Sequence, residues 1–172
     1  MTLPPLLRKL VLTAHITFAV GWLGAVAAFL VLAIAGLNSK DTQIMNAAYL
    51  GMDLTARFVI LPLSFAPLIT GPILSLGTPW GLLRHYWILV KLLITILSTV
   101  ILVIHMQPIS HLSRLAADRA LSSADSALRI QMVAASGAAV VALLVATALA
   151  VYKPRGMTRY GWRKQYEERK AL

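Results

Sequence analysis

Four stretches of this chain are too long and too apolar to be anything but membrane spans. Residues 10–35, 58–76, 86–106 and 130–151 each approach or exceed the ~20 apolar residues that cross a bilayer core. Lys91 is the single charged residue within them. Elsewhere charge is crowded at the ends of the runs. Only 13% of the chain is charged and 59% is hydrophobic, against roughly 25% charged in a soluble domain, so one water-facing core is excluded. The expected fold is all-α, an integral membrane four-helix bundle in up-down-up-down order. Residues 1–152 form the transmembrane domain and residues 153–172 a basic, aromatic tail.

The formal charge is +10, but its distribution argues against nucleic acid. Seven of the sixteen basic residues follow Val151, and the others, Lys91 apart, flank or link the apolar runs. That pattern faces anionic headgroups and sets topology. With four spans, the N-terminus, the turn between the second and third helices and the C-terminus share one side. That side carries Arg8, Lys9, Arg84, Lys153, Arg155, Arg159, Arg163, Lys164, Arg169 and Lys170, ten residues against Lys40, Arg57, Arg114, Arg119 and Arg129, five, on the other. The bias makes the first side cytoplasmic. The first apolar run exceeds the ~7–15 residues of a signal-peptide core and reads as a retained helix. There is no cysteine, which excludes disulfides, iron–sulfur clusters and thiol chemistry.

The second helix carries Pro62, Pro67 and Pro72 with Gly71 beside the last. Proline removes a backbone donor, and Ser64 and Thr70 are candidates to bond the carbonyls left over. The helix is either bent to fit its neighbours or kinked to make room for a ligand. Small residues from Ala134 to Ala139, and Gly21, Gly24 and Ala28, suit close helix approach within the bundle or between copies in a homo-oligomer. Residues 37–55 form an outer loop that ends in an Asp53/Arg57 pair at helical spacing. Pro108 suits the first turn of a further helix, with Ile109, Leu112, Leu115 and Ala116 on one face. Ser122 or Ser123 can cap the fourth helix, with Asp125 in its first turn. Tyr160, Trp162 and Tyr166 among basic residues read as an anchor to the membrane surface.

Ionisable groups inside a membrane are expensive and mark candidate sites. His15 and Lys91 each lie about 8 Å into their helices from the cytoplasmic side, at one level if the first and third helices pack together. Lys91, Thr95, Ser98 and His105 share a helical face, as do His15, Phe18 and Trp22. The expected inward site is therefore His15, Trp22, Lys91 and Thr95. Two other readings remain open: Lys91 reaching back to the interface along its stem, and His15 bonding a carbonyl of a neighbouring helix. A neutral imidazole is a natural axial ligand for haem iron, and His15 is the candidate, with Arg84 and His85 placed to meet propionates. His105, Met106 and His111, at the other side, combine the imidazoles and thioether that suit Cu(I).

The stretch from His15 through Trp22 to Gly24 resembles the first helix of the haem b-containing bacterial membrane protoporphyrinogen oxidases and of copper-resistance D-type membrane proteins. Both have His seven residues before Trp, followed closely by Gly. Trp87 and Lys91 are similar to the oxidases' Trp–Lys pair. The resemblance implies haem ligation at His15 and a role in activity at Lys91. Where those oxidases continue with Tyr-Leu-Pro-Arg, residues 25–29 hold neither Arg nor Pro, so the resemblance extends to haem rather than to porphyrinogen oxidation. The layout as a whole, with the run from Val90 to Thr95 and on to Pro108, resembles an uncharacterised bacterial family of small four-helix membrane proteins, which implies no activity. The leading expectation is a haem b-binding protein of the bacterial inner membrane. Its role would be redox or haem handling, acting as an oxidoreductase on a porphyrin or quinone if it is an enzyme. A copper-handling protein and a cofactor-free accessory subunit are the alternatives.

Overall fold

The computed structural model describes residues 4–78, 81–119, 121–154 and 156–170, with the side chains at 123 and 168 excepted. Arg155 and the Ser123 side chain, both part of the reading above, lie outside the described residues. Four long helices dominate: α1 (Pro5–Asn38), α2 (Thr42–Leu76), α3 (Tyr86–Ala117) and α4 (Ser126–Tyr152). Each is long and apolar enough to cross a membrane. A shorter helix, α5 (Arg159–Lys170), follows. The chain is a multi-pass, all-α membrane bundle. The start of α1 and the end of α4 lie at one end of it, here the terminal end, and the α1–α2 and α3–α4 connections at the far end.

The helices run longer than the apolar stretches. The chain turns helical again at Thr42 because the Asp41 carboxylate accepts the Gln43 backbone N–H at 2.8 Å, capping α2. Asp53 and Arg57 then pair across one turn at 3.1 Å. The outer loop expected over residues 37–55 is thus mostly the first four turns of α2. A π turn at Ala56–Ile60 precedes Pro62. Ser64 and Thr70 do not bond the carbonyls that the prolines leave, four residues before each. They donate instead to Leu61 and Ala66, both at 2.8 Å. Pro108 does not begin a helix either, because α3 runs through it. Ile109, Leu112 and Ala116 beyond it are buried, and the packing of that face outweighs the lost backbone bond. Before α4, Ser122 and Asp125 bond each other. The Ser122 N–H donates to the Asp125 carboxylate at 2.9 Å and holds that carboxyl below its ordinary pKa.

In the bundle, α1 packs against α2 and α4, and α3 packs against the same two. The helices therefore form a ring with α1 and α3 on a diagonal. Gly21 faces Leu63 of α2, whereas a Cβ at Gly24 or Gly137 would meet nothing within 4 Å. Only part of the small-residue seam lies inside the bundle.

Packing is dense at the far end. Tyr49 and Met52 of α2, Leu112 of α3 and Met132 of α4 are the largest fully buried side chains besides Ser64. On α1 the buried face begins at Trp22 and continues through Val26, Phe29 and Ala33. Arg129, near the start of α4, closes this end. Its guanidinium donates to the Tyr49 hydroxyl at 2.8 Å and to the Gly36 carbonyl at 2.6 Å, and it lies 5.6 Å from the Tyr49 ring centre. A cation at the C-terminus of α1 also meets the negative end of its dipole. Gly36 is required there, since a Cβ would sit 2.9 Å from the Tyr49 ring. Replacing Arg129 by Met removes these charged bonds and leaves their acceptors unpaired. The variant is expected to lose about 2–4 kcal/mol, read as an earlier midpoint when the detergent-solubilised protein is unfolded with a denaturing detergent. An unchanged midpoint contradicts the latch.

Candidate functional site

His15 is held by α2. Its Nδ1 lies 2.8 Å from the Thr70 hydroxyl, and Thr70 Oγ1 lies 2.8 Å from the Ala66 carbonyl. A threonine hydroxyl has one proton. With that proton on the Ala66 carbonyl, Thr70 offers the ring a lone pair, so Nδ1 carries the hydrogen and Nε2 keeps its own lone pair. Gly71 makes room beside the ring: a Cβ there would lie 3.4 Å from His15 Cε1.

The face of α1 around His15 differs from its continuation. Val11, Ala14, His15, Phe18 and Ala19 are only half-buried, whereas Trp22, Val26 and Phe29 are buried. The bundle is thus looser toward the terminal end and closes at Trp22, about 10 Å deeper than His15 on the same face. Trp22 is 3% exposed, and among the described residues its indole N–H has no acceptor. Buried donors are nearly always satisfied, and this one is an exception beside the half-buried part of α1.

Lys91 does not meet His15 across a shared helix seam, because α1 and α3 lie on the diagonal of the ring. Its ammonium sits 5.8 Å from the ring centre of Trp87, one turn nearer the terminal end, which matches the reading of a lysine reaching back along its stem. The expected polar stripe of α3 is largely turned on its own backbone. Thr95 donates to the Lys91 carbonyl at 2.8 Å and Thr99 to the Thr95 carbonyl at 2.9 Å. Ser98 is half-buried.

Arg84 and His85 form part of a platform for the tail. His85 pairs with Met157 in an isolated β-bridge. The Thr158 N–H donates to the Arg84 carbonyl at 3.0 Å, and its hydroxyl to the Leu83 carbonyl at 2.6 Å. The α5 helix rests on this strip through Gly161, where a Cβ would lie 2.5 Å from the Arg84 oxygen. Tyr160, Trp162 and Tyr166 remain exposed, and Lys164 and Lys170 lie over Tyr160 and Tyr166.

The candidate copper residues at the far end are not gathered. His105 Nδ1 is 2.8 Å from the Ile101 carbonyl, and its Nε2 is 3.4 Å from the Gln131 amide. His111 is six residues on, about a third of a turn away in direction, and exposed. Met106 lines a cavity beside α2 instead. Among the described residues no three His, Cys, Asp or Glu side chains come together as a metal site.

Thr70 and Gly71 are the site residues that sequence reasoning did not attach to His15. Their signal was present, a hydroxyl and a glycine at matching depth on the antiparallel neighbour, but reading it requires the ring order. No family model, curated protein or solved structure matches the chain. Because the tail docks backbone to backbone, Gly161→Ala is expected to free α5. Its amides should exchange hydrogen faster and its basic residues become accessible to trypsin, with the bundle's unfolding midpoint unchanged. Unaltered exchange over residues 159–170 counts against this docking.

Proposed function

We propose that this chain binds haem b through His15 and serves a redox or haem-handling role in the bacterial inner membrane, with both termini in the cytoplasm. The observation that carries the reading is the Thr70-anchored imidazole, whose Nε2 lone pair stands on the looser, half-buried face of α1. An axial histidine is commonly oriented by a hydrogen bond from its other ring nitrogen, which fixes the tautomer and strengthens the donor. Gly71 lets the ring sit against α2, since a Cβ there would lie 3.4 Å from His15 Cε1. Bound haem supplies one-electron chemistry at its iron.

The protein's own part is orientation and charge. Thr70 fixes the ring. Lys91 and Arg84, at the edge of the apolar slab, supply positive charge for carboxylates that leave the hydrocarbon there, and His85 stands beside Arg84. Trp22 offers a hydrogen bond to a carbonyl oxygen of a quinone-like partner in electron transfer. The orientation rests on the excess of Lys and Arg at the terminal end; a reporter fused to the C-terminus and active only in the periplasm reverses it.

The test is an absorption spectrum of the detergent-purified protein from haem-replete cells, oxidised and reduced. The expected result is a Soret band near stoichiometry that His15→Ala abolishes. Thr70→Val keeps the ligand but removes its anchor, and is expected to weaken haem affinity by about 10–100-fold. A colourless wild type overturns the proposal, and a spectrum unchanged in His15→Ala overturns the assignment of the ligand.

A further inference from the structure

At the far end, α2 and α3 leave an open cavity of about 420 Å³ lined by Arg57, Met106, Gln107, Ser110 and Arg114. It is separate from the His15 region and independent of the haem reading. Arg57 stands in the π turn of α2, and π turns recur at functional positions. Its Nε donates to the Asp53 carboxylate at 3.1 Å and its Nη2 to the Ser110 hydroxyl at 2.6 Å. Ser110 Oγ lies 3.0 Å from the same carboxylate and 2.8 Å from the Met106 carbonyl. Arg114 Nε donates to the Ser110 carbonyl at 3.3 Å.

A guanidinium has five N–H donors. These bonds fix both side chains but leave most of their donors without a protein acceptor among the described residues. Among the described residues Asp53 is also the one acid that forms an ion pair with either arginine, so the cavity keeps a net positive charge. Paired guanidinium forks match the oxygens of phosphate, to which they bond in bidentate fashion.

Depth distinguishes the sources of such an anion. From Leu76 to Arg57, and from Trp87 to Met106, is about 29 Å of helix, close to the ~30 Å of a hydrocarbon core. Just inside that level α2 and α3 turn apolar side chains outward, with Phe58 71% and Ile104 64% exposed. The cavity opens where acyl chains end and lipid phosphates begin.

We infer that this cavity binds a phosphate oxyanion between Arg57 and Arg114, and that the phosphate belongs to a membrane phospholipid headgroup. The test is native mass spectrometry of the detergent-purified full chain titrated with phosphatidylglycerol. Arg114→Gln is compared with Arg119→Gln, which removes equal charge at the same end but outside the cavity. Arg114 has a single backbone contact, so its loss leaves the fold intact. The expected result is one preferentially retained lipid in the wild type and in Arg119→Gln, with binding weakened about tenfold or more in Arg114→Gln. Equal weakening in both variants, or none in Arg114→Gln, overturns the site. Binding of inorganic phosphate that Arg114→Gln abolishes, with no lipid retained, supports the oxyanion site and overturns the lipid as its source.

Discussion

Hydrocarbon offers no hydrogen-bond partner, and this protein is organised around that deficit. Backbone groups are satisfied by helices. Six hydroxyls in the spans are satisfied by the helix that bears them: Ser64, Thr70, Thr95, Thr99, Ser136 and Thr147 each donate to a carbonyl three or four residues back. Other polar side chains reach across to a neighbouring helix, and two of them frame the bundle. Arg129 does so at the far boundary, where it ties three helices. His15 does so nearer the terminal end, where its bond to Thr70 ties two and leaves one ring nitrogen uncommitted. The first is a closure. The second has the form of a site.

Hydropathy made the four spans and their alternation legible, because lipid imposes so simple a rule on length and polarity. It did not reveal where the helices end. Residues 42–55 read as a loop because polar residues such as Gln43, Asn46 and Asp53 interrupt them, yet a helix runs through such residues once Asp41 caps it and Ala48, Tyr49 and Met52 are buried. Pro108 read as a beginning because proline favours first turns, yet a buried face on both sides of it carries α3 through. His15 stood out as an ionisable group in an apolar run. Its partner did not, because Thr70 is one hydroxyl among many until the ring order sets α1 beside α2. The same ring order parts His15 from Lys91, which matching depth alone had brought together.

The packing gradient bears on both proposals. Large buried side chains from all four long helices interlock at the far end, while around His15 the α1 face is half-buried. Rigid anchoring at one end lets the other vary without loss of the fold, and dynamic, ligand-binding regions are drawn from weakly packed parts of proteins. The far end holds its ligand candidate differently. There the cavity lies outside the interlocked core, between two helices already fixed by it, and its arginines are held by backbone and carboxylate rather than by burial.

The Arg129 latch has a consequence for assembly. The carbonyl of Gly36 and the hydroxyl of Tyr49 belong to the first half of the chain, and the guanidinium that joins them arrives only with the last long helix. Until α4 has entered the membrane and its start lies beside the end of α1, those groups depend on water at the interface. Closure of the far end therefore registers the completion of insertion. A chain cut short before α4 lacks the one cation that ties α1 and α2 together there, and presents an unsealed bundle end to quality control.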